Sequence, residues 1–71
     1  MKRRDLVRTI TAAAAARDLE FILHSDHGPH EKWRLDGLTI PIPRHNEIGE
    51  RLAETIFKEC EPKLGPRWWR T

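Results

Sequence analysis

The feature that most constrains the fold of this chain is a two-residue turn between two short runs of alternating residues. Asp36-Gly37 separates residues 30–35 from residues 38–43, and both turn residues tolerate the positive φ angles that a tight hairpin requires. A two-residue turn also fixes the register of the two strands. The resulting cross-strand pairs are Leu35 with Leu38, Trp33 with Ile40, and His30 with Pro43.

Alternation along the hairpin predicts one buried and one open face. On the first of its strands, Glu31, Trp33 and Leu35 share the apolar face. The opposite face displays His30, Lys32 and Arg34. Pro41 has no N–H to donate, so residues 38–43 should form an edge strand.

Two amphipathic segments predict helices before and after the strands. Residues 3–16 place on one face the apolar residues Leu6, Ile10, Ala13 and Ala14. In the second segment Asn46 is the predicted N-cap, and the helix ends near Glu61-Pro62. Its apolar stripe is Leu52, Ala53, Ile56, Phe57 and Cys60.

Residues 19–24 predict the first strand, with Leu19, Phe21 and Leu23 facing the core. The order is therefore α-β-β-β-α, and we expect an α+β domain over residues 1–61. Its three-stranded antiparallel sheet would carry two helices on one face. The tail, residues 62–71, is predicted to have no regular structure. Its two tryptophans, Trp68 and Trp69, either cover the core or contact RNA or a protein partner.

Length and composition set limits on function. A chain of 71 residues, 38% hydrophobic and 34% charged, is one small domain with a thin core, which excludes an enclosed active site. The single cysteine, Cys60, excludes an internal disulfide and favours a reducing, cytoplasmic location. The longest apolar run, Ala12 to Ala16, fits neither a membrane span nor a signal peptide.

The net charge of +2 hides an uneven distribution. Both ends of the chain are basic and the second helix is acidic, which predicts separate contact surfaces. The basic start, Lys2-Arg3-Arg4, can attract a phosphate backbone. A charged helix end is the alternative explanation.

The open sheet face is where the sequence points to chemistry. The hairpin register brings Arg44 and His45 close to His30, beside Lys32 and Arg34. Cations bind phosphate oxygens, and a histidine moves a proton near neutral pH. RNA supplies its own 2′-hydroxyl nucleophile, so these groups suffice for a metal-free ribonuclease. Alternatively, they are ordinary solvated side chains on an exposed strand.

Two other chemistries compete for the same residue types. His24, His27 and His30 are spaced three apart, but the paired ligands of a zinc knuckle are missing. Cys60 lies on the apolar stripe, which predicts a buried, inert thiol rather than a nucleophile.

An ordered set of segments resembles the HicA toxins of the HicA–HicB type II toxin–antitoxin systems, over about residues 2–60. The matching segments are Lys2-Arg3-Arg4-Asp5-Leu6, Gly28-Pro29-His30-Glu31-Lys32-Trp33-Arg34, Ile42-Pro43-Arg44-His45-Asn46-Glu47-Ile48, Leu52-Ala53 and Ile56-Phe57-Lys58.

The resemblance implies a double-stranded-RNA-binding-domain-like fold and an mRNA interferase that a HicB antitoxin inhibits. It also implies that no metal or organic cofactor is needed. The functional histidine of the family, in a Gly-x-His stretch, maps to His30, and a Pro-Arg-His segment maps to residues 43–45. We expect His30 to be catalytic and seven residues to bind RNA: Lys32, Arg34, Arg44, His45, Lys2, Arg3 and Arg4.

Pro29 departs from the family pattern, which usually has a small polar residue there. Proline lacks a backbone donor and fixes φ, so the substitution can displace the loop or remove a substrate contact. Two further readings therefore stay open. One is a non-catalytic RNA-binding domain of the same fold, and the other is a module that only binds protein.

Overall fold

Six elements make up the computed structural model, which describes residues 1–70. They are α1 (Arg3–Ala15), β1 (Phe21–Ser25), β2 (His30–Leu35), β3 (Leu38–Pro43), α2 (Glu50–Glu59) and α3 (Glu61–Leu64). Helices flank an open antiparallel sheet, and the predicted α-β-β-β-α order is confirmed, with α3 added. Within residues 1–70, no helix combines the length and the apolar character needed to cross a membrane.

The β2–β3 hairpin has the predicted turn and register. Asp36 has a φ of 48° and Gly37 a φ of 87°, so both turn residues adopt the left-handed conformation that matches the twist of the strands. The pairs run without interruption from Leu35–Leu38 to His30–Pro43. The strand order is β1-β2-β3, so the prediction that Pro41 lies in an edge strand is confirmed.

Both long helices share one core with the sheet. β2 and β3 contribute Leu35, Ile40 and Ile42, which are fully buried. The residues that the helices bury against them are Leu6, Ile10 and Ala14 of α1, and Ala53, Ile56 and Phe57 of α2. Each fully buried Leu or Ile side chain contributes roughly 1.5–3 kcal/mol relative to an exposed one, so this single cluster stabilises the domain.

The first strand departs from its prediction. It begins at Phe21 rather than at residue 19, and its pairing with β2 is irregular between Leu23 and Ser25. Leu23 was expected to be buried, but it is 44% exposed. The outer strand is packed chiefly where the Phe21 ring stacks on Trp33, with ring centroids 4.8 Å apart. Beyond that contact β1 is an edge strand with a bulge, and Leu23 stays partly exposed.

The predicted N-cap of the second helix was wrong. The backbone of residues 46–48 pairs with the start of the chain instead, since the Arg3 N–H donates to the Asn46 carbonyl at 2.8 Å. This pairing holds the segment extended, and α2 starts only after Gly49. The helix ends at Glu59, two residues before the predicted end.

The prediction of an irregular tail was also wrong. Residues 61–64 form α3, whose Leu64 is buried in the core. Trp68 donates its Nε1–H to the Phe57 carbonyl at 2.8 Å, and its ring meets Phe57 edge-on at 5.1 Å. Trp69 stacks on the same phenylalanine at 5.7 Å. Of the roles considered for the two tryptophans, the structure therefore shows core covering.

Trp68 tests whether the tail is part of the folded domain. Trp68→Ala should lower the free energy of unfolding by about 2 kcal/mol, less than the roughly 3–5 kcal/mol of a fully buried site. Trp68→Phe keeps most of the packing and loses one hydrogen bond, so we expect a loss of about 1 kcal/mol. Urea denaturation measures both. Unchanged stability in both variants would contradict the packing described.

Candidate nucleic-acid interface

The open face of β2 presents its polar side chains in a row. His30, Lys32 and Arg34 alternate with the core-facing residues of the strand, so neighbours in the row are about 6–7 Å apart. His30 and Lys32 are exposed. Neither side chain makes a hydrogen bond or ion pair with another described residue, so both side chains are available to a ligand.

Arg34 is more constrained than its neighbours in the row. It is half-buried, and its Nη2 lies 3.3 Å from Nε2 of His24. Its Nε is shielded from solvent and has no hydrogen-bond partner in residues 1–70. The structure thus orients Arg34 on the open face, beside a second histidine that sequence reasoning did not place in the site.

A groove joins this row to α2 along the edge of β3. It measures about 360 Å³ and is lined by His30, Lys32, Pro41, Pro43, Leu52, Ile56 and Glu59. Leu52 was expected to lie in the buried stripe of α2, but it is 43% exposed. It lines the groove together with His30, Lys32 and Pro41 of the sheet, so one residue of the stripe lies outside the core.

Glu59 is a groove residue that sequence reasoning missed. The residue is exposed, yet partial burial of its carboxyl raises the pKa above the ordinary value. It makes no hydrogen bond or ion pair within the described residues. Only its spacing could have pointed to the groove, because Glu59 lies seven positions after Leu52 and so shares a helix face with it.

Glu31 organises the opposite side of β2. Its carboxylate pairs with the Arg3 guanidinium and accepts the Nε1–H of Trp33 at 3.2 Å. Arg44 Nη1 lies 4.0 Å from the same carboxylate, and Arg3 Nε donates to the Pro43 carbonyl at 3.1 Å. The sequence did contain a sign of this cluster, because Glu31 is a carboxylate on the apolar face of a strand and a buried carboxylate needs partners.

This cluster changes how two predicted RNA-binding residues are placed. Arg3 ties α1 to β2 and β3, so much of its hydrogen-bonding capacity is used inside the protein. Arg44 donates its Nε–H to the Gly28 carbonyl at 2.9 Å, which holds the loop that precedes His30. His45 is exposed and is not among the residues that line the groove.

A second depression lies at the start of α1. Lys2, Arg3, Arg4 and Asn46 line about 380 Å³ there. Lys2 Nζ is 3.5 Å from Glu47, whereas Arg4 makes no ion pair within residues 1–70. Arg3 also donates to the carbonyl of Pro43, a residue that lines the groove, so one residue of this depression contacts the groove.

The structure does not favour metal or thiol chemistry at the residues considered for it. No group of three or more His, Cys, Asp or Glu residues in the described part of the chain could hold a metal ion. The predicted burial of Cys60 is confirmed, since it has no exposed surface. Burial, with a smaller contribution from the Glu59 carboxylate, raises the pKa of its thiol to about 12.

No family model, curated protein or solved structure matches this chain.

The Cys60 thiol should resist alkylation in the folded protein. At pH 8 a thiol with a pKa of about 12 is almost entirely protonated, and the thiolate is the reactive form. We expect iodoacetamide to modify Cys60 only after denaturation, while a Thr11→Cys variant reacts at once through its added, exposed thiol. Mass spectrometry follows both reactions. Rapid modification of native Cys60 would restore a nucleophilic role for this thiol.

The Arg3–Glu31 contact should carry a measurable coupling energy. A double-mutant cycle with Arg3→Ala and Glu31→Ala is expected to give about 1–3 kcal/mol in the free energy of unfolding, because the pair is mostly buried and shares hydrogen bonds. The control is the exposed Arg8–Asp5 pair, 3.8 Å apart, whose coupling should stay below about 0.5 kcal/mol. Equal couplings would show that Glu31 does not organise the site.

Proposed function

We propose that this protein is an RNA-cleaving toxin, an mRNA interferase of the HicA type with a double-stranded-RNA-binding-domain-like fold. One observation carries the proposal. His30, the residue that matches the functional histidine of HicA toxins, is exposed and lies beside Lys32 on an open sheet face. Its side chain makes no hydrogen bond or ion pair within residues 1–70. The sheet is antiparallel, with the element order of that family.

The proposed reaction needs no external nucleophile. His30 takes the proton of a ribose 2′-hydroxyl, and the 2′-oxygen attacks the adjacent phosphorus. The bond from phosphorus to the 5′-oxygen breaks, and this oxygen leaves as a hydroxyl with a proton from solvent water, while His30 returns to the solvent the proton that it took. The products are a 2′,3′-cyclic phosphate and a 5′-hydroxyl end. Lys32 stabilises the negative charge that grows on the phosphate oxygens.

The remaining cations would hold the RNA on either side of the cleaved bond. Arg34 continues the row beyond Lys32, and Arg44 and His45 follow the end of β3. Lys2, Arg3 and Arg4 would attract phosphates further along the strand, with Arg4 the most available of the three. An open row of this kind suits a polymer that lies across the domain, because each phosphate contact adds affinity without enclosing the substrate.

The same exposure supports a protein inhibitor. A catalytic group on an open face is silenced when a second protein covers it, and a HicB-type antitoxin would do so by blocking His30. Its charge should be negative where it meets the cations, because complementary potentials speed association. The proposed site of action is the cytoplasm, where mRNA and antitoxin are both present.

Pro29 favours a second candidate function, an RNA-binding domain that does not cleave. Gly28 has a φ of 82° and Arg44 holds its carbonyl, so the loop before His30 is shaped by defined contacts. Pro29 offers no N–H in this loop. If the reaction needs that donor, binding would persist without cleavage.

His30 provides the decisive test. We expect His30→Ala to abolish RNA cleavage and growth arrest while changing the free energy of unfolding by less than about 0.5 kcal/mol, because the side chain is exposed and unpartnered. The matched control is His27→Ala, an exposed histidine of the preceding loop, which should keep full activity. Cleavage is measured by incubating RNA with each purified protein in the presence of a chelator.

The outcomes separate the candidate functions. A folded His30→Ala protein that still cleaves RNA would overturn the proposed chemistry. A wild-type protein that shifts RNA in a salt-sensitive manner without cutting it would favour the binding domain. A cleavage rate that does not change between about pH 5 and 8 would also contradict a proton transfer by histidine.

A further inference from the structure

The groove beside His30 combines cross-strand pairs of unusual composition. His30 pairs with Pro43, and Lys32 pairs with Pro41. Directly paired side chains share a face, with their Cβ atoms about 4.5–5.5 Å apart. Each polar side chain therefore has a rigid, apolar ring beside it, a combination suited to a ligand that is charged at one end and flat at the other.

α2 supplies the opposite wall. Leu52, Ile56 and Glu59 share one helix face, and all three line the groove. Ile56 is buried and forms the floor, whereas Leu52 is 43% exposed. The walls of the groove are thus apolar at Leu52 and Pro41, and the Glu59 carboxylate provides a hydrogen-bond acceptor.

The charges at the groove are not used inside the protein. Lys32 and Glu59 border the same space, yet they form no ion pair with each other or with other described residues. Lys58, the neighbour of Glu59, pairs with Glu54 at 3.4 Å instead. A cation and a carboxylate that face one groove without meeting can bind a ligand that carries both a negative group and N–H donors.

We propose that this groove binds the nucleobase next to the phosphate held by His30 and Lys32, and that Glu59 selects bases with an amino group. This inference rests on the proposed function, since it takes RNA as the ligand. Pro41 and Leu52 contact the faces of the base, as apolar side chains do for bases taken out of a stack. The volume of about 360 Å³ lies at the lower end of the roughly 300–1,000 Å³ of small-molecule sites.

The chemistry of the carboxylate defines the preferred base. Glu59 only accepts hydrogen bonds when ionised. Guanine presents an amino group beside a ring N–H, which matches the two carboxylate oxygens, and adenine and cytosine each present an amino group. Uracil has one ring N–H between two carbonyl oxygens, which repel a carboxylate. The expected order therefore places guanine first and uracil last.

Binding of short 2′-O-methyl oligonucleotides tests the base preference without cleavage, because the nucleophilic hydroxyl is blocked. Fluorescence anisotropy compares four oligomers that differ in one central base, at low salt and pH 7. We expect Glu59→Gln to weaken binding of the guanine oligomer by about tenfold, the loss of a charge-assisted hydrogen bond. The uracil oligomer should change by less than twofold. Leu52→Ala should weaken all four.

Two features keep the variants interpretable. Burial raises the pKa of the Glu59 carboxyl, so its charge is less favourable in the folded protein than in the unfolded chain, and Glu59→Gln should be at least as stable as the wild type. Glu50→Gln is the matched control, because Glu50 lies in the first turn of the same helix and is not a groove residue. It should leave the base preference unchanged.

Each outcome decides the proposal. Loss of base preference in Glu59→Gln alone supports it, even where the wild type proves unable to cleave RNA. An unchanged preference in Glu59→Gln overturns it, and RNA cleavage by the wild type in that case leaves the proposed function intact. If the wild type does not bind RNA at low salt, both the proposed function and the base-binding groove are contradicted.

Discussion

The left-handed turn at Asp36-Gly37 is the constraint on which the rest of the structure depends. Because it fixes the register of β2 and β3, it decides which side chains face the core and which remain open. A slip of one residue would send His30 and Lys32 to the buried side and expose Leu35. The same register sets each of these polar residues beside a proline of β3, and this juxtaposition creates the groove.

The contacts of Glu31 form a second level of organisation. This carboxylate lies on the core-facing side of β2 and draws Arg3 and Arg44 towards it, so α1 and the loop before His30 are tied to the sheet. A small domain has little apolar surface with which to fix its helices. The mostly buried Arg3–Glu31 ion pair, which shares hydrogen bonds, therefore helps to fix the position of α1 on the sheet. It also brings the basic start of α1 next to the proposed site.

An open site follows from the size of the chain. With one shared core below the sheet, the proposed site lies on the open face, where a substrate that carries its own nucleophile can lie across it. The groove between β3 and α2 would add selectivity for the neighbouring base to such a site without any additional element of structure. It brings Leu52 and Glu59 of α2 together with His30 and Lys32, the open-face residues of the sheet.

The sequence by itself determined the elements with strong local signals: the hairpin and its register, α1, the edge position of β3 and the burial of Cys60. Tertiary structure decided what depends on distant residues. Asn46 is a good helix cap in isolation, but its backbone pairs with the chain start, and the tail folds because Phe57 offers a surface to Trp68 and Trp69. Glu59 joins the groove for the same reason: spacing fixes the face of a helix, and only packing decides what that face meets.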